Sequence, residues 1–407
     1  MKTLFREFYS IDEDTIRAIW DDCTFVLDTN VLLNLYRFPK KSQSDVLNVI
    51  EKLSSRTWIP HQVALEYQRN RPVVIAGQLN NFYKVKKAVT ESINSLEGKF
   101  NEFEIKRNRN VIDTVSFIER IRACAADFEK ELDVLKQQRQ DVHEHDPIRE
   151  KIDQIFANNV GGPMTEEEIK LLHKEGADRF AIQTPPGFAD SGKKDSYMYG
   201  RTKIDSKYGD LIVWKQIIKY AKENSIKNIV FVTDDDKEDW WWIVDSSGDK
   251  TLGVRPELRH EIFSEGGVEN FYMYNSARFV GRGMEFLNIP VEAESINEIE
   301  EVVKEQNEKT DVLGLIEAGL SVVAKEIFMD KLYEAVNWAR RNEDGYVGLN
   351  SFVKNVLGGL GYDYKSSYSM AHELHTKGVI ILGSTYDNEL QRPVATVNLP
   401  ALGKIAL

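Results

Sequence analysis

The chain has 407 residues, 42% of them hydrophobic and 29% charged, and a formal net charge of −12. That length exceeds what one compact core usually organises, so two domains, or one domain with a large insertion, are expected of a globular, water-soluble chain. The negative balance argues against coating nucleic acid through a generally basic surface and leaves a local basic cleft for any such task. A solvated acidic surface and carboxylates gathered around a cation would both push the balance this way.

The two cysteines, Cys23 and Cys124, stand far apart, which gives neither a disulfide framework nor a zinc-ligand spacing and fits a reducing, cytoplasmic setting. The opening "MKTLFREFYSIDEDTIRAIW" has no apolar core of signal-peptide type, and no later run approaches the roughly 18 apolar residues of a membrane span. Neither export nor membrane embedding is expected.

In chain order, "TFVLD" at 24–28 reads as a buried strand, and "NVLLNLYRF" after it has the apolar spacing of a helix packed on a sheet. A short strand at 57–59 follows, and Pro60 suits the first turn of the next helix. Residues 73–160 are long, polar and charged, with apolar residues at three- and four-residue spacing in two segments, and read as an antiparallel helical hairpin inserted into an α/β domain. Gly161, Gly162 and Pro163 end it, and Thr165 with Glu168 fits a capping box.

"TPPGFADSGKKDSYMYGRTKIDSKYGD" reads as a long irregular stretch of functional type. "DLIVWKQIIKYAKEN" is an amphipathic helix, and "KNIVFVTDDD" a second buried strand that ends in acid. The first domain is expected to close near residue 288, with an acidic linker over 289–310. In 311–407, three short helices and the hairpin "VIILGSTYDNELQRPVATVNL" suggest a winged-helix arrangement. The fold class is thus α/β, a parallel sheet flanked by helices.

Four places put an acid at the end of an apolar element or on a helix face: Asp28, Glu66, Asp210 and the run Asp234, Asp235, Asp236. The carboxyl ends of strands in an open parallel sheet share one edge, where such folds bind ligands, so these acids can converge. Crowded carboxylates need a proton or a cation between them. Oxygen ligands without a His or Cys cluster suit Mg²⁺ or Mn²⁺, and such a site performs phosphodiester hydrolysis. Each acid also has a plainer role: Asp28 and Asp210 as helix caps, Glu66 as a solvated charge, the Asp run as a turn.

The ordered set "LDTN", "PHQVALEYQRNR", "YGDLIVWKQI" and "FVTDDDKEDWW" resembles the PIN-domain nucleases, specifically a bacterial PIN-like group with a helical insertion and a "PPGFxD" loop. The resemblance implies a metal-dependent endoribonuclease in which Asp28, Glu66 and Asp210 are the first three metal carboxylates. It implies Asp235 as the fourth, with its neighbour Asp234 left open, and Asn30 and Thr233 as supports. It also implies Mg²⁺ or Mn²⁺, RNA more often than DNA, and a toxin or phage-defence setting.

Asp190 with Lys193 and Lys194 matches the family loop, and the basic pair could meet a phosphate or lie in solvent. Arg69, one turn beyond Glu66, could hold that carboxylate or contact phosphate. Trp240 to Trp242 could stack bases or pack a core. His61, His143 and His145 have no partner at metal spacing. The C-terminal part resembles winged-helix modules fused to some PIN-like nucleases; its slightly acidic balance leaves a protein partner or homo-oligomer contact, there or through the insertion, as open as nucleic acid.

Two other functions compete. One is a catalytically idle PIN scaffold that binds RNA or a protein partner. The other is a haloacid-dehalogenase-type phosphatase, which also starts with an Asp after a buried strand but wants a second Asp where this chain has Asn30.

Overall fold

The computed structural model describes residues 1–102, 113–246 and 248–316, together with 347–349, 352, 381–387 and 392–398. The chain divides into two compact units, one made of Met1–Ala189 and Tyr197–Glu305 and the other of Asp190–Ser196 and Gln306–Leu407.

The first unit opens with α1 (Glu13–Asp21), β1 (Thr24–Leu27), α2 (Thr29–Asn34), α3 (Lys40–Lys52) and β2 (Thr57–Trp58). Next comes α4 (His61–Glu102), which runs unbroken through Pro72. The helix that carries Glu66 and the first arm of the expected insertion are therefore one helix, with Pro60 just outside its start. Proline does not force a break here, although its missing N–H leaves the Gln68 carbonyl without an intrahelical donor.

Helix α5 (Thr114–Gln137) returns alongside α4. Lys86 pairs with Asp133 at 2.7 Å and Glu97 with Arg122 at 2.7 Å, and the rings of Phe100 and Phe117 sit 6.2 Å apart. Numbers rising along one helix as they fall along the other define the antiparallel hairpin. Helix α6 (Pro147–Ile155) follows, then α7 (Glu166–Ala181), whose Thr165 and Glu168 form the capping box.

The stretch expected to be irregular contains a hairpin, β3 (Ser196–Tyr199) and β4 (Thr202–Asp205), turned at Gly200 with φ of 60°. Four-residue strands carry too little alternation to stand out from a loop. After it come α8 (Gly209–Glu223) and β5 (Asn228–Val232). The tryptophan run leads into a second hairpin, β6 (Trp241–Asp245) and β7 (Asp249–Val254). Trp240 is buried against Trp214 and Phe231, which is core packing rather than an exposed base platform. The unit continues with α9 (Pro256–Glu265), β8 (Asn270–Tyr274) and α10 (Ser276–Leu287).

Strand order is β2-β1-β5-β8, all parallel. Phe25, Val26 and Leu27 of β1 and Ile229 to Val232 of β5 are fully buried, as continuous apolar strands covered on both faces must be. Leu27 pairs with Val232 and Val232 with Tyr274, so Asp28, Thr233 and Asn275 leave the sheet side by side on its carboxyl edge.

The acidic segment expected as a linker is instead helical, α11 (Ala293–Ile316). Ile299 and Val303 are buried in the first unit's core, and Ser42 donates a hydrogen bond to Glu298. In the second unit, β9 (Val347–Gly348), β10 (Ile381–Asp387) and β11 (Arg392–Asn398) form an antiparallel sheet in the order β10-β11-β9, which contains the expected hairpin. The three expected short helices fall mainly outside the described residues. Among the described residues, no helix is long and apolar enough to cross a membrane.

Candidate active site

Asp28 does cap the helix after β1: its Oδ1 accepts from the Thr29 backbone N–H at 2.7 Å. Its other oxygen has a different task. Oδ2 accepts from the Thr233 hydroxyl at 2.7 Å and from Asn30 Nδ2 at 2.9 Å. Asn30 also donates to Thr233 Oγ1 at 3.1 Å and accepts from the Asp234 backbone N–H at 3.0 Å, stitching the end of β1 to the end of β5. Desolvation pushes the Asp28 carboxyl up to about 7; the charges of Glu66 and Asp235 add to the rise, and the bonds from Thr233 and Thr29 oppose it.

Glu66 reaches the same place from α4. Its Oε1 accepts from Gln62 Nε2 at 2.7 Å and its Oε2 from the Thr29 hydroxyl at 3.1 Å, so Thr29 holds Asp28 with its backbone and Glu66 with its side chain. The Gln62 backbone N–H donates to Gln216 at 3.0 Å, which fixes the start of α4 against α8. Gly209, the first residue of α8, leaves room for this approach: a Cβ there would lie 2.9 Å from Glu66 Oε1.

Asp210 follows directly in the first turn of α8, where the helix dipole favours a negative charge. Gly187, at φ of 90°, comes so close that a Cβ on it would lie 3.4 Å from Asp210 Cβ. Asp239 anchors that glycine's loop, accepting from the backbone N–H groups of Gly187 at 2.9 Å and Ala189 at 3.2 Å.

The Asp234 and Asp235 carboxylates face different surroundings. Asp234 is 3% exposed. It accepts from the Ser276 backbone N–H and hydroxyl, both at 2.8 Å, and from Asn34 Nδ2 at 2.7 Å. Burial pushes its carboxyl above the usual range while those donors pull it back. Asp235 lies on the side of Asp28, whose carboxyl feels its charge. Its backbone N–H donates to Thr233 Oγ1 at 3.1 Å, and its carboxylate accepts from the Lys237 backbone N–H at 2.9 Å and pairs with Lys237 Nζ at 3.1 Å.

The family model of the PIN-like domain matches residues 24–258, more than half of the chain, and its span contains all of these acids. The chain belongs to the PIN-like domain family. PIN domains are generally nucleases. No curated protein and no solved structure matches.

In this PIN-like domain, Thr29 and Thr233 link Asp28 to Glu66 and to Asp235, while Gly209 brings the start of Asp210's helix against Glu66. The carboxylates are hard oxygen donors, and the charges of Glu66 and Asp235, which add to the rise that burial gives Asp28, are ones a dication would offset. Of the four lone-pair positions of the Asp28 carboxylate, three already accept hydrogen bonds, which leaves one on Oδ1 for a cation. Among the described residues, no three His, Cys, Asp or Glu side chains are gathered as a ready cation cluster. The donor chemistry thus fits Mg²⁺ or Mn²⁺, and holding it requires the carboxylates to draw together.

Arg69 lays its guanidinium over the Tyr197 ring, 3.7 Å from the centroid, and among the described residues forms no ion pair with Glu66. Asp190, Lys193 and Lys194 belong to the second unit, where Lys193 Nζ pairs with Asp190 at 2.6 Å and Lys194 is exposed. His61 is half-buried; His143 and His145 are exposed, the latter 2.8 Å from Glu150.

Several site residues carry no sequence signal of their own. Thr29, Gln62 and Gly209 act by contact with residues far along the chain, so spacing cannot reveal them. Lys237 and Asp239, in "DDDKED", are hidden by the acids beside them.

Gly209→Ala is expected to keep the fold, because alanine suits a helix start and changes stability by about 1 kcal/mol at most. Nuclease activity should drop about a hundredfold as the new methyl displaces the Glu66 carboxylate. Parallel measurement of rate and denaturation midpoint checks this; full activity in the folded variant would mean that Glu66 can move without loss.

Proposed function

We propose that this protein is a metal-dependent endoribonuclease that hydrolyses RNA phosphodiester bonds, with Asp28, Glu66, Asp210 and Asp235 holding Mg²⁺ or Mn²⁺. The observation that carries the reading is the Asp28 carboxyl, raised to about 7 by burial and by the charges of Glu66 and Asp235, at the sheet edge of a PIN-like domain. When bound, the cation polarises a phosphoryl oxygen and lowers the pKa of an attacking water.

The chain's own residues supply the rest. Thr233 and Asn30 fix the Asp28 carboxylate in one orientation, and Thr29 with Gln62 does the same for Glu66. Lys237 brings a positive charge to Asp235, in reach of a role at a substrate phosphate. A toxin or phage-defence setting is the biological context that the family resemblance implies.

The test is cleavage of single-stranded RNA and DNA by the purified full chain with Mg²⁺ or Mn²⁺, beside a chelated control and Asp28→Asn. RNA cleavage that disappears in both controls supports the reading. Cleavage that persists in both overturns it.

A second reading, an idle PIN scaffold that binds RNA or a protein partner, is favoured by the absence of a ready cation cluster among the described residues and by the Asp235–Lys237 pair. Stable RNA binding without cleavage under any divalent cation would select it. A phosphatase using Asp28 as nucleophile gains no support: Asn30 stands where the second acid belongs and donates to Asp28.

A further inference from the structure

We propose that the β3–β4 hairpin, together with Arg69, is a binding platform for a single-stranded nucleic acid and leads the strand to the acids. This rests on the nuclease reading only for where the strand goes; the binding itself is read separately.

The hairpin touches the site at both ends. On β3, the Tyr197 hydroxyl accepts from the same Gln62 Nε2 that bonds Glu66, at 3.0 Å and 2.7 Å respectively. Strand β4 ends at Asp205 and passes through one short turn into Gly209 and Asp210. Tyr199 shares a strand face with Tyr197, and its ring lies 5.6 Å from that of His61, so this face runs along the first turns of α4.

In a chain of net charge −12, this surface gathers three cations, Arg69, Arg201 and Lys203. Arg69 and Arg201 are exposed, and among the described residues neither has an ion-pair partner. Arg69 is instead held flat on Tyr197, an arrangement that orients the guanidinium while leaving its N–H edges available for phosphate. Arg201 sits at the hairpin turn, and Lys203 on β4 makes a surface pair to Asp205 at 2.7 Å, with 60% of its side chain exposed. A phosphate can displace so weak a pair.

Tyr199 is 47% exposed and its neighbour Met198 59% exposed. Cations without carboxylate partners beside exposed aromatic surface are the makings of recognition by phosphate contact and base stacking. Stacking requires a base face that a duplex keeps covered, which is why the platform suits a single strand. Stacking and phosphate contact are common to RNA and DNA, and the two are separated by assay.

The experiment is fluorescence anisotropy with a labelled single-stranded oligoribonucleotide, its deoxy counterpart and the matching duplex, on the full chain in chelator so that no cleavage occurs. Tyr199→Ala is expected to weaken single-strand binding about tenfold, with Tyr199→Phe restoring it. Arg201→Glu and Arg69→Ala should each weaken binding and flatten its salt dependence. A preference for the oligoribonucleotide identifies RNA as the ligand, and equal binding identifies either single strand.

Duplex binding as tight as single-strand binding, unchanged affinity in Tyr199→Ala and Arg201→Glu, or equal competition by polyglutamate would each overturn the platform. All three substituted side chains are exposed, so the fold is not at stake. If these variants bind normally while the wild type still cleaves RNA, the platform fails alone. If the wild type binds but never cleaves, the nuclease reading fails and the platform stands.

Discussion

Asp28→Asn is expected to lower RNA cleavage about a thousandfold while leaving a folded protein. Asparagine caps a helix as well as aspartate does, so the bond from the Thr29 backbone N–H survives. The new amide meets Asn30 Nδ2 donor to donor, a local cost of about 1 kcal/mol. The more telling readout is stability against pH.

The Asp28 carboxyl is raised to about 7 in the folded chain, whereas an unfolded aspartate titrates near its ordinary value of about 4. Between those values the folded state keeps a proton that the unfolded state has released, so this group makes stability fall as pH rises through the window and stops doing so above about 7. The variant should show a shallower decline across the same range. Divalent cation should raise the melting temperature of the wild type above pH 7 and leave the variant nearly unchanged. A variant that cleaves at the wild-type rate, or that gains as much stability from cation, would remove Asp28 from the site.

The strands that build this edge were legible because they are buried on both faces. "TFVL" and "NIVFV" are uninterrupted apolar runs, a signal few other structures give, and an acid after each marks the sheet's carboxyl end. The register was not legible, since nothing local in β1 announces that Leu27 pairs with Val232. That pairing is what places Thr233 against Asp28. Helix α4 was misdivided at Pro72 because proline lowers helix propensity locally, whereas the core burial of Tyr67 and Ile75 on either side of it and the Arg71–Asp146 pair hold the helix in place there.

The acidic segment after residue 289 looked like a linker for the opposite reason. Its few apolar residues, Ile299 and Val303 among them, are spaced for one narrow contact stripe, and composition outweighs them in any reading by charge. At the site, chemistry-bearing types stood out and their holders did not: Glu66 is an acid on a helix, but only the fold reveals that Thr29 and Gln62 grip it.

The adjacent residues Asp234 and Asp235 should separate into a stability defect and an activity defect. Asp234→Ala removes the acceptor for the Ser276 backbone N–H, the Ser276 hydroxyl and Asn34, all buried, and should cost about 3–5 kcal/mol. Its cleavage rate per folded molecule should stay near that of the wild type. Asp235→Asn keeps an acceptor for the Lys237 backbone N–H and loses the charge of a pair whose side chains are each 17% exposed, so stability should fall by about 1–3 kcal/mol, less than in Asp234→Ala. Cleavage should fall by at least about a hundredfold, since the carboxylate whose charge Asp28 feels is gone. Urea denaturation and single-turnover rates on the two variants measure both quantities. A stable but inactive Asp234→Ala beside an active Asp235→Asn would reverse the assignment, because the carboxylate held by Ser276 and Asn34 would then have to turn outward to do the chemistry.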